Sequence, residues 1–343
     1  KRFGKPEKHY GKIMLFSNDK NAFLKAALNR VAFFMFATIS LSACAEKTDY
    51  AFITNQLSDD ITVIDINERQ VVSTIKAGKA PAGVALSQNG NRVLITNPDS
   101  QNISVIDARK LTEISQIPVG QGPVGIATNH DGSIAYVADW YEHKISIVDV
   151  DEQQIRHRIN VGKSPAGIIL DESRNRLYVA NRDDNTVSII DTITEQVLEI
   201  VNVGKSPFGL ALTTDGQRLF SVNVQDNSVT MIDTHNLTAT STIEVGEWPY
   251  CAVASPDGKF LYVTNQDENS VSVIDIATQK NINTIDVEDS PEGIDITANG
   301  KHLYVSNWGS DSVSIIDTTT GKRITDVKTG KGSRAFGDFI ISQ

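Results

Sequence analysis

Short apolar runs broken by polar turns recur through most of the chain. In the clearest copy, residues 249–288, the runs Phe260-Leu-Tyr-Val-Thr and Val271-Ser-Val-Ile-Asp are β-branched and aromatic. Clusters of Asn, Asp, Gly and Pro interrupt such runs about every ten residues, and no segment sustains a helical stripe. The pattern is strictly periodic. A Y-V-T-N-like run closes at Asn55, Asn97, Asp139, Asn181, Asn223, Asn265 and Asn307, each 42 residues after the last. A V-I-D-like run closes with the same spacing at Asp65, Asp107, Asp149, Asp191, Asp233, Asp275 and Asp317. Prolines recur at 81, 123, 165, 207, 249 and 291, with Ser333 in the seventh place. A period near 42 suits a four-stranded propeller blade or a HEAT-type helix pair, and the local pattern selects β.

Each unit predicts four strands. Strand A follows Pro-x-Gly, and an Asn-Gly or Asp-Gly turn (Asn89-Gly90, Asp131-Gly132, Asp257-Gly258) leads into strand B, which ends at Y-V-T-N. Strand C is V-S-V-I-D, its aspartate turning the chain by bonding its own backbone, and strand D ends at Val-Gly. Small residues in strand A, such as Gly125, Ala127, Gly209 and Ala211, suit a crowded centre where blades converge. The expected fold is all-β, a seven-bladed β-propeller of four-stranded blades over residues 50–343. The chain enters in strand B and ends in a strand A segment at 335–342, so the C-terminal strand should close the first blade and remove the open sheet edges.

These motifs resemble the YVTN-type β-propeller repeat family, over residues 50–336. Repeat 3 departs with Asp139, repeat 6 with Glu288 for Gly, and repeat 7 with Ser333-Arg-Ala335 for Pro-x-Gly. The resemblance implies cell-envelope and surface proteins of varied activity, with relatives among cytochrome d1 and lactonase propellers. Fold alone does not carry function across such a set.

Ahead of the repeats the composition changes. Lys20, Lys25 and Arg30 precede an apolar run at 31–41, which reads as the h-region of a signal peptide (1–43, with Met14 a candidate start) and is too short for a conventional transmembrane helix. Leu41-Ser-Ala-Cys44 resembles a bacterial lipobox, making Cys44 the lipid attachment site and 44–49 a lipidated linker. The same residues also fit ordinary cleavage at an A-x-A-like site. Ala45 after the cysteine suggests outer-membrane sorting facing the periplasm, the alternative being a soluble periplasmic or secreted protein. Residues 45–49 reach roughly 17 Å when extended, so the body is expected close to the bilayer with its top face turned away.

Charge narrows the partners. The 343 residues carry a net charge of −10, and residues 44–343 alone carry −16. A body this acidic repels phosphate backbones, so nucleic acid is not an expected partner. Two cysteines, Cys44 and Cys251, exclude a disulfide framework, and no C-x-x-C-H or phosphate-loop motif is present.

Candidate chemistry gathers on the face formed by the B–C and D–A loops, here called the top. All three tryptophans fall there: Trp140 and Trp308 in B–C loops, Trp248 in a D–A loop. Tyr141, His143, Phe208 and Tyr250 join them. The positions equivalent to Tyr250 run Ala82, Val124, Ala166, Phe208, Glu292 and Arg334, small on blades 2–4 and aromatic or charged on blades 5–7 and 1. Glu292 and Arg334, on neighbouring blades, are placed to pair. Glu292 and Asp295 form a candidate acid–base pair. These aromatics fit either a ligand or partner site or packing between blades. The acidic loops 182–185 and 266–269 match no Ca²⁺-loop spacing, the histidines do not converge, and Cys251 at a Gly position should be buried and inert. No metal, cofactor or catalytic residue is assigned. The expectation is a non-catalytic, monomeric, envelope-anchored propeller whose top face binds an envelope protein or small molecule. The alternatives are an accessory protein holding a tetrapyrrole at the channel mouth and a lactonase-like hydrolase.

Overall fold

Strands B and C are buried on both faces, whereas strand D buries little more than one side chain, as in Thr238–Glu244. That gradient follows from a radial stack, in which inner strands are sandwiched between neighbouring sheets and the outermost strand meets water. The computed structural model describes residues 49–341. They form seven four-stranded antiparallel sheets, and each sheet packs on the next through apolar clusters. The apolar run at 31–41 and the lipid-attachment candidate Cys44 lie outside the described residues.

The repeat residues explain themselves in contacts. The buried Asn223 at the end of strand B donates Nδ2 to Ser228 Oγ and Thr230 Oγ1 at 3.1 and 2.9 Å, crosslinking strands B and C. Asn265 does the same with Ser270 and Ser272. Thr264 Oγ1 donates to the Glu292 carbonyl at 2.8 Å, and Thr54 and Thr96 repeat this bond from blade to blade. The aspartate of V-I-D accepts backbone N–H groups two and three residues on, as at Asp233 with His235 and Asn236, and this lowers its carboxyl below the usual range. Strand A glycines mark the closest approach. A Cβ on Gly125 or Gly167 would fall 1.9 or 2.2 Å from a backbone oxygen of the next blade's strand A.

Closure occurs as the sequence predicts, with a local difference. Ile340–Ile341 pairs antiparallel with Ala51 and Tyr50, and Ser333 bridges Asn55. Between these anchors the segment leaves the expected strand. Ala335 and Gly337 take positive φ (50° and 92°), and Phe336 bridges Gly83 of the neighbouring blade. The bow turns Phe336 into the mouth of the ring.

Candidate functional site

Strand A begins at the top, so the residue after each Pro-x-Gly proline lies near the axis. Phe208 and Tyr250 at these positions have ring centroids 4.3 Å apart. Phe336 stands edge-on to Phe208 at 5.1 Å and lies 5.6 Å from Tyr250, while Trp140 meets Phe208 at 6.4 Å. Ala82, Ala166 and Val124 complete one apolar cluster with them. The mouth is therefore plugged by aromatic rings. Offset and edge-on pairs of this kind contribute about 0.5–1.5 kcal/mol each beyond area burial.

Behind the plug lies the ion pair anticipated from sequence. Arg334 Nε donates to Glu292 Oε2 at 2.7 Å and Nη2 to the Tyr250 hydroxyl at 2.9 Å, with Cζ 4.5 Å from the Phe336 ring centre. Gln266 Nε2 donates to the other Glu292 oxygen at 2.9 Å. Burial raises the Glu292 carboxyl more than Arg334 and Gln266 lower it. Desolvation is the largest single effect on the Arg334 guanidinium, and Glu292 and Tyr250 together outweigh it and hold the group protonated. With both carboxylate oxygens occupied, Glu292 is a fixed structural counter-ion rather than a free base.

A cavity of about 350 Å³ opens beside this assembly, walled by Trp140, Arg182, Phe208, Trp248, Tyr250 and Gln266. Arg182 lies over the Trp140 ring at 5.6 Å and donates Nη1 to Asp183 at 2.8 Å. Trp248 is 38% exposed. Its backbone is left-handed (φ 53°), anchored by its N–H donating to Asn227 Oδ1 at 3.0 Å. The same conformation recurs at Ala80, Ser164, Ser206, Ser290 and Gly332, all small. Only at blade 6 does a bulky side chain occupy it. Left-handed backbone is uncommon for a bulky residue and costs on the order of 1–3 kcal/mol.

Of the residues singled out from sequence, Trp140, Phe208, Trp248 and Tyr250 come together at the cavity, with Glu292 and Arg334 supporting it from behind. The others do not join them. Tyr141 is exposed and covers Gly122 on the rim. His143 accepts the Ser164 N–H on Nδ1 at 3.0 Å, the capping role that Asn185 and Asn269 perform in other blades. Trp308 donates Nε1 to Gln56 at 3.1 Å, beside blade 1. Asp295 does not converge with Glu292. It turns to the closing strand, where Oδ2 accepts the N–H groups of Phe339 and Ile340 at 2.8 Å each. Cys251 is buried and its thiol is pushed well up by desolvation. Asp139 explains the outlying loop of blade 3. A carboxylate cannot donate as Asn does, so Oδ1 instead accepts the N–H groups of Tyr141 and Glu142 at 3.1 and 2.9 Å.

Sequence reading missed Phe336, and gave Arg182 and Gln266 no part in this site. The signal for Phe336 was present: the matching positions hold Val84, Ile126, Ile168, Leu210, Ala252 and Ile294, so it alone is aromatic. A larger hollow of about 500 Å³ lies at the opposite face, walled by Arg174, Arg218, Asp233 and His235. Its turn aspartate and strand-start arginine recur in blade 4 as Asp191 and Arg176, so it marks no departure from the repeat. Among the described residues no group of three or more His, Cys, Asp or Glu side chains is placed to hold a metal ion.

Comparison with known proteins agrees on a β-propeller. Residues 85–176 match the family described as YNCE-like beta-propeller, and residues 251–332 the family described as Lactonase, 7-bladed beta-propeller. No curated protein matches the chain. Among solved structures, hydrazine synthase of Kuenenia stuttgartiensis is similar at 22% identity with a TM-score of 0.68, covering 74% of this chain and 87% of that one. A protein of unknown function from Desulfotomaculum acetoxidans gives 15% identity and a TM-score of 0.72 over 84% and 99%. Dihydro-heme d1 dehydrogenase NirN in complex with DHE gives 12% and 0.64 over 82% and 73%. At these identities the likeness is one of fold.

Proposed function

We infer that this propeller is a binding module that takes a small ligand in the top-face cavity. One observation carries the reading: the repeat places small residues at the left-handed position of five blades, and blade 6 puts Trp248 there, strained and open to solvent at a cavity edge. Packing accounts for it only in part, because 38% of Trp248 stays open to solvent. About 350 Å³ is at the small end of ligand pockets, which run roughly 300–1,000 Å³ and combine apolar walls with few polar groups. That size favours a compact ligand over a macrocycle of the kind NirN is named for. His143 and Arg334, the groups that would have served a tetrapyrrole, are committed to Ser164 and Glu292. The lactonase-family match makes hydrolysis the second reading, and it would need an acid–base pair that Glu292 and Asp295, with separate partners, do not form.

Native mass spectrometry of the purified protein tests the reading. Wild type should retain a small-molecule mass that Trp248→Ser loses, and equal retention by both would count against it. We further propose that Cys44 carries the lipid anchor that holds the module in the envelope. Cys44→Ala should then move the protein from the membrane to the soluble fraction, and unchanged membrane association would remove the proposal.

A further inference from the structure

The arrangement of the rings around the cavity says what shape of ligand it takes. Trp140, Phe208, Tyr250 and Phe336 form one continuous chain of ring contacts on one side. Trp248 lines the same cavity, yet among the described residues its ring meets none of theirs. The cavity is therefore lined both by a connected aromatic wall and by an indole that shares no ring contact with it among the described residues. An indole lacking a stacking partner gains most from a flat π-system inserted opposite it, and two-sided stacking selects planar over puckered rings.

The polar groups at the cavity indicate what the ring carries. Among the described residues, Arg182 is the one cationic side chain in the cavity wall. Its Nη1 goes to Asp183, whose carboxylate is also bonded by the Ser164 hydroxyl, leaving the rest of the guanidinium over Trp140. Glu292 and Arg334 neutralise each other behind the wall, and Arg182, although paired with Asp183 at 2.8 Å, is the charged side chain that the cavity itself meets among the described residues. Gln266 spends its Nε2 on Glu292 and presents Oε1 as the free end of its amide.

We propose that the top-face cavity binds a planar, one- or two-ring aromatic ligand bearing an anionic group, with the ring between Trp248 and the Phe208–Tyr250 wall and the anion at Arg182. The proposal rests on the binding role inferred above and specifies the ligand's chemical class.

Isothermal calorimetry of the full chain with three probes separates its parts. The probes are naphthalene-2-carboxylate, its saturated counterpart decalin-2-carboxylate, and 2-naphthylmethylammonium. The aromatic carboxylate should bind about tenfold or more tightly than either of the others, a factor equivalent to one stacking pair or one charge-assisted contact. Trp248→Ser should lose the preference for the flat ring, and Arg182→Gln the preference for the anion. Trp308→Phe, remote from the cavity, should keep both, and circular dichroism confirms that each variant is folded. Equal binding of decalin-2-carboxylate would overturn the stacking, and equal binding of the ammonium probe would overturn the role of Arg182. No binding of naphthalene-2-carboxylate would overturn the ligand class. A natural ligand retained by wild type and lost from Trp248→Ser would, in that last case, leave the broader binding role standing.

Discussion

At the scale of single residues, the departures from the repeat divide into two kinds. Some are absorbed by the fold. His143 caps a turn as asparagine does elsewhere, and Asp139 replaces a donated bond with two accepted ones. Others are not absorbed, and Trp248 is the clearest, since serine, alanine or glycine holds the same backbone in the other blades that adopt it. The sequence alone located Trp248, Tyr250, Phe208 and Trp140 on one face, because loop position follows from the period. It could not separate Trp308 from them, since which side of a ring a loop leans toward is decided by contacts such as the bond to Gln56.

Among the elements, the closing strand departs furthest from expectation. Residues 335–338 carry a left-handed alanine and a glycine with φ of 92°, a kink that strand periodicity does not reveal. Asp295 pins the strand just beyond this kink. Burial first, and then the nearby Asp338 charge, push its carboxyl up to about 8 against three backbone N–H groups that favour the anion. Asp338 keeps solvent access, and partial desolvation raises its carboxyl as well. A carboxyl raised on folding stabilises the folded state fully at pH values below its unfolded pKa and loses that contribution as pH climbs toward 8. Asp295→Asn should therefore flatten the fall in melting temperature between pH 5 and pH 9, gaining at least about 2 °C over wild type at the alkaline end relative to the acid end. Parallel melting curves for the two proteins across that range would show that Asp295 does not titrate as the closure requires.

For the whole molecule, the period of 42 and the positions of Asn, Asp and Pro make the seven-bladed ring legible in the chain alone. The last segment ties the ring together, because it buries Ala335, Phe336, Phe339 and Ile341, pairs within the first blade, bridges Gly83 of the next and is anchored by Asp295 of the preceding one. A chain ending at Gly330 should melt more than about 10 °C lower and associate through its open edge. Retention of the wild-type melting temperature as a monomer would contradict this account of closure. The cavity was less legible than the ring, since its walls come from blades 3 to 6 and are backed by Phe336 and Arg334 of the last segment. No local pattern reports that convergence.

The most direct test of the binding role compares wild type with Trp248→Ser for retained ligand by native mass spectrometry and for melting temperature without ligand. The account predicts that the variant loses the ligand while its melting temperature is unchanged, because serine already holds the same left-handed backbone at Ser164, Ser206 and Ser290. A variant that keeps the ligand, or that melts lower and binds as before, would show that Trp248 serves the packing of the ring and that the top-face cavity is not the site.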